Sequence, residues 1–345
     1  MSLPVPRFLA AIYAKPHPDL QVQLLDKFRS LSQLESQRLR RAKDPKDFYS
    51  LSVALDPLVQ NRNRYFDVIP FDRNRVQLRA TAPTSTYTNA SHIDTSYIDG
   101  MPQRKYIASQ GPLGTPHAIV STVGDFWLMA WEQMSRVIVC LSKVEEGGKI
   151  KCARYWPEGE GEEVREWETS GGGVRMRVKL VGMPTKNTDA ECEVRKLWVE
   201  PVDTALGAGR QVTQLAFFGW PDHGVPENAE HVLNLISLTR KVEAEYAREA
   251  GVAFGPTIVH CSAGCGRTGT FCAIDLVWNF LEERQAQASG EETVMDDDDE
   301  EQDLYNEDQD LIFEVVDGLR KQRMVMVQAP PQYVFCYQAL WVLKC

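Results

Sequence analysis

Val259-His260-Cys261-Ser262-Ala263-Gly264-Cys265-Gly266-Arg267-Thr268-Gly269 decides the fold. Ahead of it, Thr257-Ile-Val-His260 is a short β-branched run of the kind that forms a strand. Behind it, Thr270 to Glu283 reads as a buried helix. A strand that passes into a helix through a glycine-bearing loop exposes unsatisfied N–H groups and the positive end of the helix. The N–H groups of Ser262, Ala263, Gly264, Cys265, Gly266 and Arg267 could curl around one phosphate, and Gly264 and Gly266 permit the dihedrals that such a nest requires. Arg267 adds a planar fork for two phosphate oxygens. A cysteine at the mouth of that cradle, Cys261, sits in a field that favours its thiolate, the nucleophilic form. A bare Cys-x5-Arg recurs by chance. The flanks His260, Ser262, Gly264, Gly266, Thr268 and Gly269, with the strand–loop–helix setting, make the pattern specific.

The rest of the chain fits a globular protein around this junction. Its 345 residues are 43% hydrophobic and 25% charged, enough apolar material for a large core. There is no run of about 18 apolar residues to read as a membrane span, and Phe8-Leu9-Ala10-Ala11-Ile12 is too short and too weakly charged at its front for a signal peptide. The net charge is −10. Residues 291–310 hold twelve Asp and Glu and no Lys or Arg, so the remainder carries +2. No basic face for nucleic acid is evident from that balance. The eight cysteines form no dense framework and no pair of CxxC knuckles, which points to reduced thiols and against structural zinc.

Leu24, Leu25, Phe28, Leu31, Leu34 and Leu39 recur at helical spacing within residues 22–43, with a basic end at Arg38 to Lys43. The segments 136–141, 174–180 and 214–218 read as strands, and helical patterning resumes around Leu311 to Leu319. The polar stretch 285–309 self-repels and cannot bury apolar surface, so disorder is expected there. It reads as an insertion within one domain.

On these residues the signature segment resembles the phosphate loop of the cysteine-dependent protein-tyrosine phosphatases, in their tyrosine-specific, non-receptor form. Further segments resemble that family in the same order. Asn61-Arg62-Asn63-Arg64-Tyr65 is similar to its phosphotyrosine-recognition loop, which implies that Tyr65 stacks on the substrate ring and favours a phenyl phosphate over the shorter phosphoserine. Asp67 matches the acid that binds substrate backbone amides. Phe66 stands where relatives often carry a polar or charged residue, which suggests an apolar sequence preference. Phe218-Gly-Trp-Pro-Asp-His-Gly-Val-Pro226 is similar to the mobile acid loop, although Pro221-Asp222-His223-Gly224 alone would be an ordinary turn. The resemblance makes Asp222 the general acid and Trp220 the anchor of a hinge beside the substrate. Gln328 and Gln332 match the glutamines that place water for a second step. Glu146 and Lys151 precede Cys152-Ala-Arg-Tyr-Trp156, similar to a glutamate-bearing loop in which Glu146 would hold the fork of Arg267, with Glu145 as a rival. Tyr106 to Leu113, Asp125-Phe-Trp127 and Trp131-Glu132 resemble core motifs and read as packing. The resemblance runs from about residue 40 to the C-terminus, with longer segments than usual at 89–99 and 114–124.

The resemblance implies one α/β domain with a twisted mixed central sheet flanked by helices. Residues 1–45 would be a helical extension packed on a catalytic domain at 46–345. It also implies hydrolysis of phosphotyrosine in proteins. Cys261 attacks phosphorus while Asp222 protonates the tyrosyl oxygen, and water placed by Gln328 then cleaves the phosphocysteine. Thr268 stabilises the departing thiolate. Arg267 and the loop amides hold the charge, with no metal or organic cofactor. Partners would be phosphotyrosine-containing proteins in signalling, in the cytoplasm or alternatively the nucleus. Cys265 reads as a small core residue, with redox control as the sharper alternative. Three competitors stay open: a catalytically dead phosphotyrosine-binding module, a phosphatase of broader reach, and a sulfur-transfer enzyme. The presence of Cys261, Arg267 and Asp222 disfavours the first, Tyr65 the second, and Trp220-Pro221-Asp222 the third.

Overall fold

The computed structural model describes residues 6–79, 86–158, 163–221, 224–249, 254–290 and 309–343. Two N-terminal helices, α1 (Arg7–Tyr13) and α2 (His17–Leu39), precede strands β1 (Arg75–Gln77), β2 (Tyr87–Asp94) and β3 (Lys105–Ser109). Helix α3 (Val123–Glu132), strand β4 (Val137–Cys140) and a small hairpin, β5 (Glu145–Glu146) with β6 (Lys149–Ile150), come next. Strands β7 (Val164–Glu168), β8 (Arg175–Leu180), β9 (Thr185–Asn187), β10 (Cys192–Pro201) and β11 (Arg210–Phe217) lead into helix α4 (Ala229–Ala247). The chain closes with β12 (Thr257–His260), α5 (Gly266–Gly290), α6 (Leu311–Gln322) and α7 (Pro330–Val342).

The main sheet runs β1-β2-β3-β12-β4-β11-β10-β8-β7, with β9 added against β10. Its middle is parallel, β3 to β12 to β4 to β11, and its flanks are antiparallel. The last strand in the sequence, β12, therefore lies near the centre. All four of its residues are buried, as a parallel strand covered on both faces must be. The two-residue period sends Val259 into the core shared with α1, α2 and α4 to α7, and Ile258 into the core built around α3. The fold is thus one α/β domain with a mixed sheet between helical layers.

The runs read as strands at 136–141, 174–180, 214–218 and 257–260 correspond to β4, β8, the end of β11 and β12. The helix expected over 270–283 is α5, and it is longer at both ends. Its first turn is part of the cradle loop itself. Its last turns carry Gln285-Ala286-Gln287 onward, good helix formers that extend an existing helix at little cost. The beginning of the stretch expected to be disordered is therefore helical, and 291–308 lies outside the described residues. Pro330 and Pro331 occupy the first turn of α7, where a missing N–H costs nothing.

Helix α2 lies on α6 and α7. Lys27 pairs with Asp310 at the start of α6, and Arg38 pairs with Asp317 within it. The Phe28 and Tyr333 rings are 5.9 Å apart, and Tyr13 of α1 stacks on Trp341 at 4.1 Å. Among the described residues no helix is long and apolar enough to cross a membrane.

Asp125 bears out its reading as a packing residue. Its side chain is buried in the first turn of α3 and accepts the Ser170 N–H at 3.1 Å. Burial pushes its pKa up to about 6. A carboxyl raised on folding contributes stability that is full below its unfolded value and lost as pH rises through about 6. Asp125→Asn should therefore gain stability over the parent on going from pH 5 to pH 7.5, by roughly 1.4 kcal/mol. Urea unfolding at the two pH values measures this, and a difference independent of pH would refute it.

Candidate active site

Cys261 follows β12 at the C-terminal end of the central parallel strands, and α5 begins five residues later. For the intervening N–H groups to face one point, the carbonyls must turn away and find donors. Arg323, fully buried, supplies them: it donates to Gly264 O at 2.7 Å and to Ala263 O at 2.9 Å, and is itself seated on Asn89 Oδ1 at 2.8 Å and Ser91 Oγ at 3.2 Å. The Ser262 carbonyl accepts the Gly111 N–H at 2.9 Å. Gly264 has φ +71°, and a Cβ there would stand 2.1 Å from Ser109 O, so only glycine fits. With its back fixed in this way, the loop aims the Gly264 N–H at Cys261 Sγ, 3.3 Å away. Beneath it, His260 Nδ1 donates to the Cys261 carbonyl at 3.1 Å while Nε2 meets the Tyr155 hydroxyl at 2.7 Å.

Cys261 is 5% exposed. Burial alone would push its thiol up, yet its pKa is held below the ordinary 9.0. The Arg267 charge, the Thr268 hydroxyl and the N–H groups of Thr268 and Cys265 together outweigh desolvation. The Thr268 hydroxyl is buried and has no hydrogen-bond partner among the described residues, so it is free to turn toward the sulfur. Cys265 goes the other way: burial, followed by the neighbouring Cys261 charge, pushes it up to about 12. Such a thiol makes a poor resolving nucleophile, in keeping with a core residue.

Arg267 is clamped. Glu146 Oε1 accepts from one guanidinium nitrogen at 2.7 Å and Oε2 from the other at 2.6 Å, both side chains being buried. The same nitrogens donate to Leu141 O at 2.9 Å and Pro221 O at 3.1 Å. Glu145, the rival, is exposed, because successive residues of a strand face opposite sides and β5 turns Glu146 inward. Trp220 is buried between Phe217 and Phe335, and its Nε1 donates to Gly224 O at 3.1 Å. This bond therefore ties Trp220 to Gly224 from inside. Asp222 lies outside the described residues.

Tyr65 stands at the rim, half-buried, its hydroxyl 3.0 Å from Ser262 Oγ. Ser262 Oγ also donates to the carbonyl of the mostly buried Lys151 at 2.9 Å. Asp67 is exposed beyond it, as is Phe66, at 81%. The rim loop is tied down by Arg64, which donates to Pro112 O at 2.7 Å and Ile150 O at 3.1 Å, and by Gln110, whose Oε1 accepts the Arg64 N–H at 2.9 Å. On the far side, Gln328 is exposed with Oε1 3.8 Å from Cys265 Sγ. Gln332 is buried, and its Oε1 accepts the N–H groups of Gln328 at 3.0 Å and Ala329 at 3.2 Å. The atoms against which a Cβ at Gly266 would press belong to Gln332 and Gln328, so both glutamines abut the cradle.

The structure thus gathers Cys261 to Thr268, Glu146 with Lys151, Tyr65, and Gln328 with Gln332 from four separate stretches of chain. Arg323, Asn89 and Gln110 were not singled out from the sequence. Arg323 did leave a signal: a cation directly ahead of the apolar run Met324 to Val327 must be either exposed or fully partnered.

A thiol held below its ordinary pKa lies at a strand–loop–helix junction beside the clamped Arg267, on the central strand of a mixed α/β sheet. The chain belongs to the protein-tyrosine phosphatase family, whose sequence model matches residues 59–341. Receptor-type tyrosine-protein phosphatase C of Homo sapiens is 37% identical over 296 residues, which cover 85% of this chain and 19% of that protein. Tyrosine-protein phosphatase non-receptor type 9 of Mus musculus is 33% identical over 294 residues, 83% of this chain and 42% of the relative. Receptor-type tyrosine-protein phosphatase alpha of Mus musculus is 35% identical over 288 residues, 82% and 28%. The chain spans less than half the length of each of these relatives.

Removing the Glu146 carboxylate leaves a buried guanidinium without its two-point partner. Glu146→Ala should weaken the binding of inorganic phosphate roughly tenfold or more, measured by calorimetry. Unchanged affinity in a folded variant would show that Arg267 keeps its orientation without the clamp.

Proposed function

We propose that this chain hydrolyses phosphotyrosine in proteins through a phosphocysteine intermediate. The observation that carries the reading is the position of Cys261. Its sulfur lies at the floor of a loop whose N–H groups converge on it, beside an arginine held at two points by Glu146. The thiolate attacks phosphorus, the bond to the tyrosyl oxygen breaks, and Asp222 supplies the proton that oxygen takes up. Arg267 and the loop amides carry the equatorial charge. Support for Asp222 is its setting between Pro221, whose carbonyl Arg267 holds, and Gly224, whose carbonyl holds Trp220. In the second step water, placed by Gln328 with Gln332 behind it, attacks phosphorus, and Asp222 takes its proton. Thr268 donates to the sulfur as it leaves.

Tyr65 at the rim would give the pocket the depth of a phenyl ring, which favours phosphotyrosine over phosphoserine. Asp67 and Phe66 beyond it would meet the substrate backbone and an apolar neighbour. In this reading residues 46–345 are the catalytic domain and 1–45 an extension packed on it. The partners are phosphotyrosyl proteins in signalling. The seven cysteines among the described residues are all free thiols, which suits the reducing cytoplasm, with the nucleus as the alternative.

Phosphate release from matched phosphotyrosyl and phosphoseryl peptides tests the reading. Release should occur from the first alone and be lost in Cys261→Ser, with peptide binding retained. Equal release from both peptides would indicate a shallow, broad pocket. Binding without release in the parent would indicate a dead module.

Alkylation of Cys261 by iodoacetate should show a midpoint below the ordinary thiol value of 9.0. Thr268→Ala should move that midpoint up, because a donor to the thiolate is lost. An unmoved midpoint would remove the hydroxyl from that role.

A further inference from the structure

Glu35 lies on α2, remote in sequence from every residue of the site, yet it is only 8% exposed. Its Oε1 accepts the Val325 N–H at 2.6 Å, and its Oε2 lies 3.4 Å from Arg320 Nη1. Arg320, itself buried, donates to Met326 O at 2.9 Å and to Val327 O at 2.8 Å. One carboxylate, directly or through one guanidinium, therefore grips the backbone of residues 325, 326 and 327 in succession.

That arc is strained. Val325 has φ 59° and Val327 φ 57°. A β-branched side chain in the left-handed region costs on the order of 1–3 kcal/mol and persists only where its surroundings over-determine it. The arc also touches the cradle: the Val327 N–H donates to Cys265 O at 3.3 Å, and a Cβ on Gly269 would meet Val327 N at 2.3 Å. Gln328 is the next residue.

We infer that Glu35 is a positioning residue for Gln328: it holds the strained 325–327 arc, so that the N-terminal helix governs hydrolysis of the phosphocysteine and not its formation. The inference rests on the phosphatase reading above. In the hydrolytic step the water oxygen bonds to phosphorus, the phosphorus–sulfur bond breaks with its electron pair returning to Cys261, and the water proton goes to Asp222. Apart from the Val327 N–H to Cys265 O contact, the groups that form the intermediate have their main anchors elsewhere. Arg323 holds the loop, Glu146 holds Arg267, and Trp220 holds the acid segment. None of these anchors passes through residues 325–327.

The two steps separate kinetically. With p-nitrophenyl phosphate, kcat/KM counts events only up to release of the phenol, whereas kcat also includes hydrolysis. Stopped-flow release of p-nitrophenol by the full chain, by Glu35→Ala and by Glu35→Gln therefore reads each step. In Glu35→Ala, kcat should fall roughly tenfold with KM falling alongside it, kcat/KM should stay within about twofold, and a burst approaching about one equivalent per enzyme should appear. Glu35→Gln keeps an acceptor for the Val325 N–H but loses the charge facing Arg320. It should show the same pattern with a kcat fall of roughly threefold. A parallel fall in kcat and kcat/KM would overturn the inference, as would no change in either variant, since a merely structural loss weakens both steps. If Glu35→Ala fails to fold by circular dichroism, Glu35→Gln decides on the same criterion. A parent chain that releases no phenol would overturn the phosphatase reading and this inference with it. Phenol release by the parent that Cys261→Ser abolishes upholds the first independently of the second.

Discussion

A loop can turn its N–H groups toward one anion only if its carbonyls are satisfied elsewhere. Here a single buried guanidinium meets that demand. Arg323 binds the Ala263 and Gly264 carbonyls from behind and rests on Asn89 and Ser91 of β2. The inward amides, the low-lying thiolate and the start of α5 all depend on that arrangement. Desolvating an arginine is expensive, and four hydrogen bonds offset the expense while fixing the loop to the sheet.

The sulfur is a contest between burial and local charge. Desolvation is the largest influence on Cys261 and acts against the thiolate, but Arg267, Thr268 and two N–H groups reverse the balance. Cys265 lies in comparable burial next to that charge and is pushed up instead. Two cysteines four residues apart thus differ in acidity because one faces the converging donors and the other faces the core. The clamp on Arg267 obeys a similar logic. Glu146 can meet it at two points because a two-residue hairpin strand turns one glutamate in and its neighbour out.

The helices ahead of the sheet are joined to this chemistry. Glu35 reaches across to Val325 and Arg320, and Arg320 to the carbonyls just before Gln328. Left-handed valines on either side of Met326 carry backbone strain that those contacts offset. Strain next to a site is a common device for presenting a side chain at an angle that regular structure does not offer. Packing of α2 on α6 and α7 gives this device a lever outside the catalytic loops.

Much of this was legible along the chain. The loop from Cys261 to Gly269 carries its own chemistry, because nucleophile, amides, glycines and arginine are contiguous and a strand–loop–helix turn brings them together locally. The strands β4, β8 and β12 were legible for a similar reason, since burial on one or both faces writes itself into hydrophobic spacing. Partners remote in sequence were not. Nothing in the residues of α2 announces that Glu35 is buried against Val325, nothing in Asn89 announces Arg323, and the choice of Glu146 over Glu145 waited on which way a two-residue strand faced. Local pattern records what a segment needs to be covered or turned. Which distant group covers it depends on the sheet order that puts β12 between β3 and β4, and on helices folding back over it. Those are long-range contacts, and their energy is shared among residues that no single stretch of sequence contains.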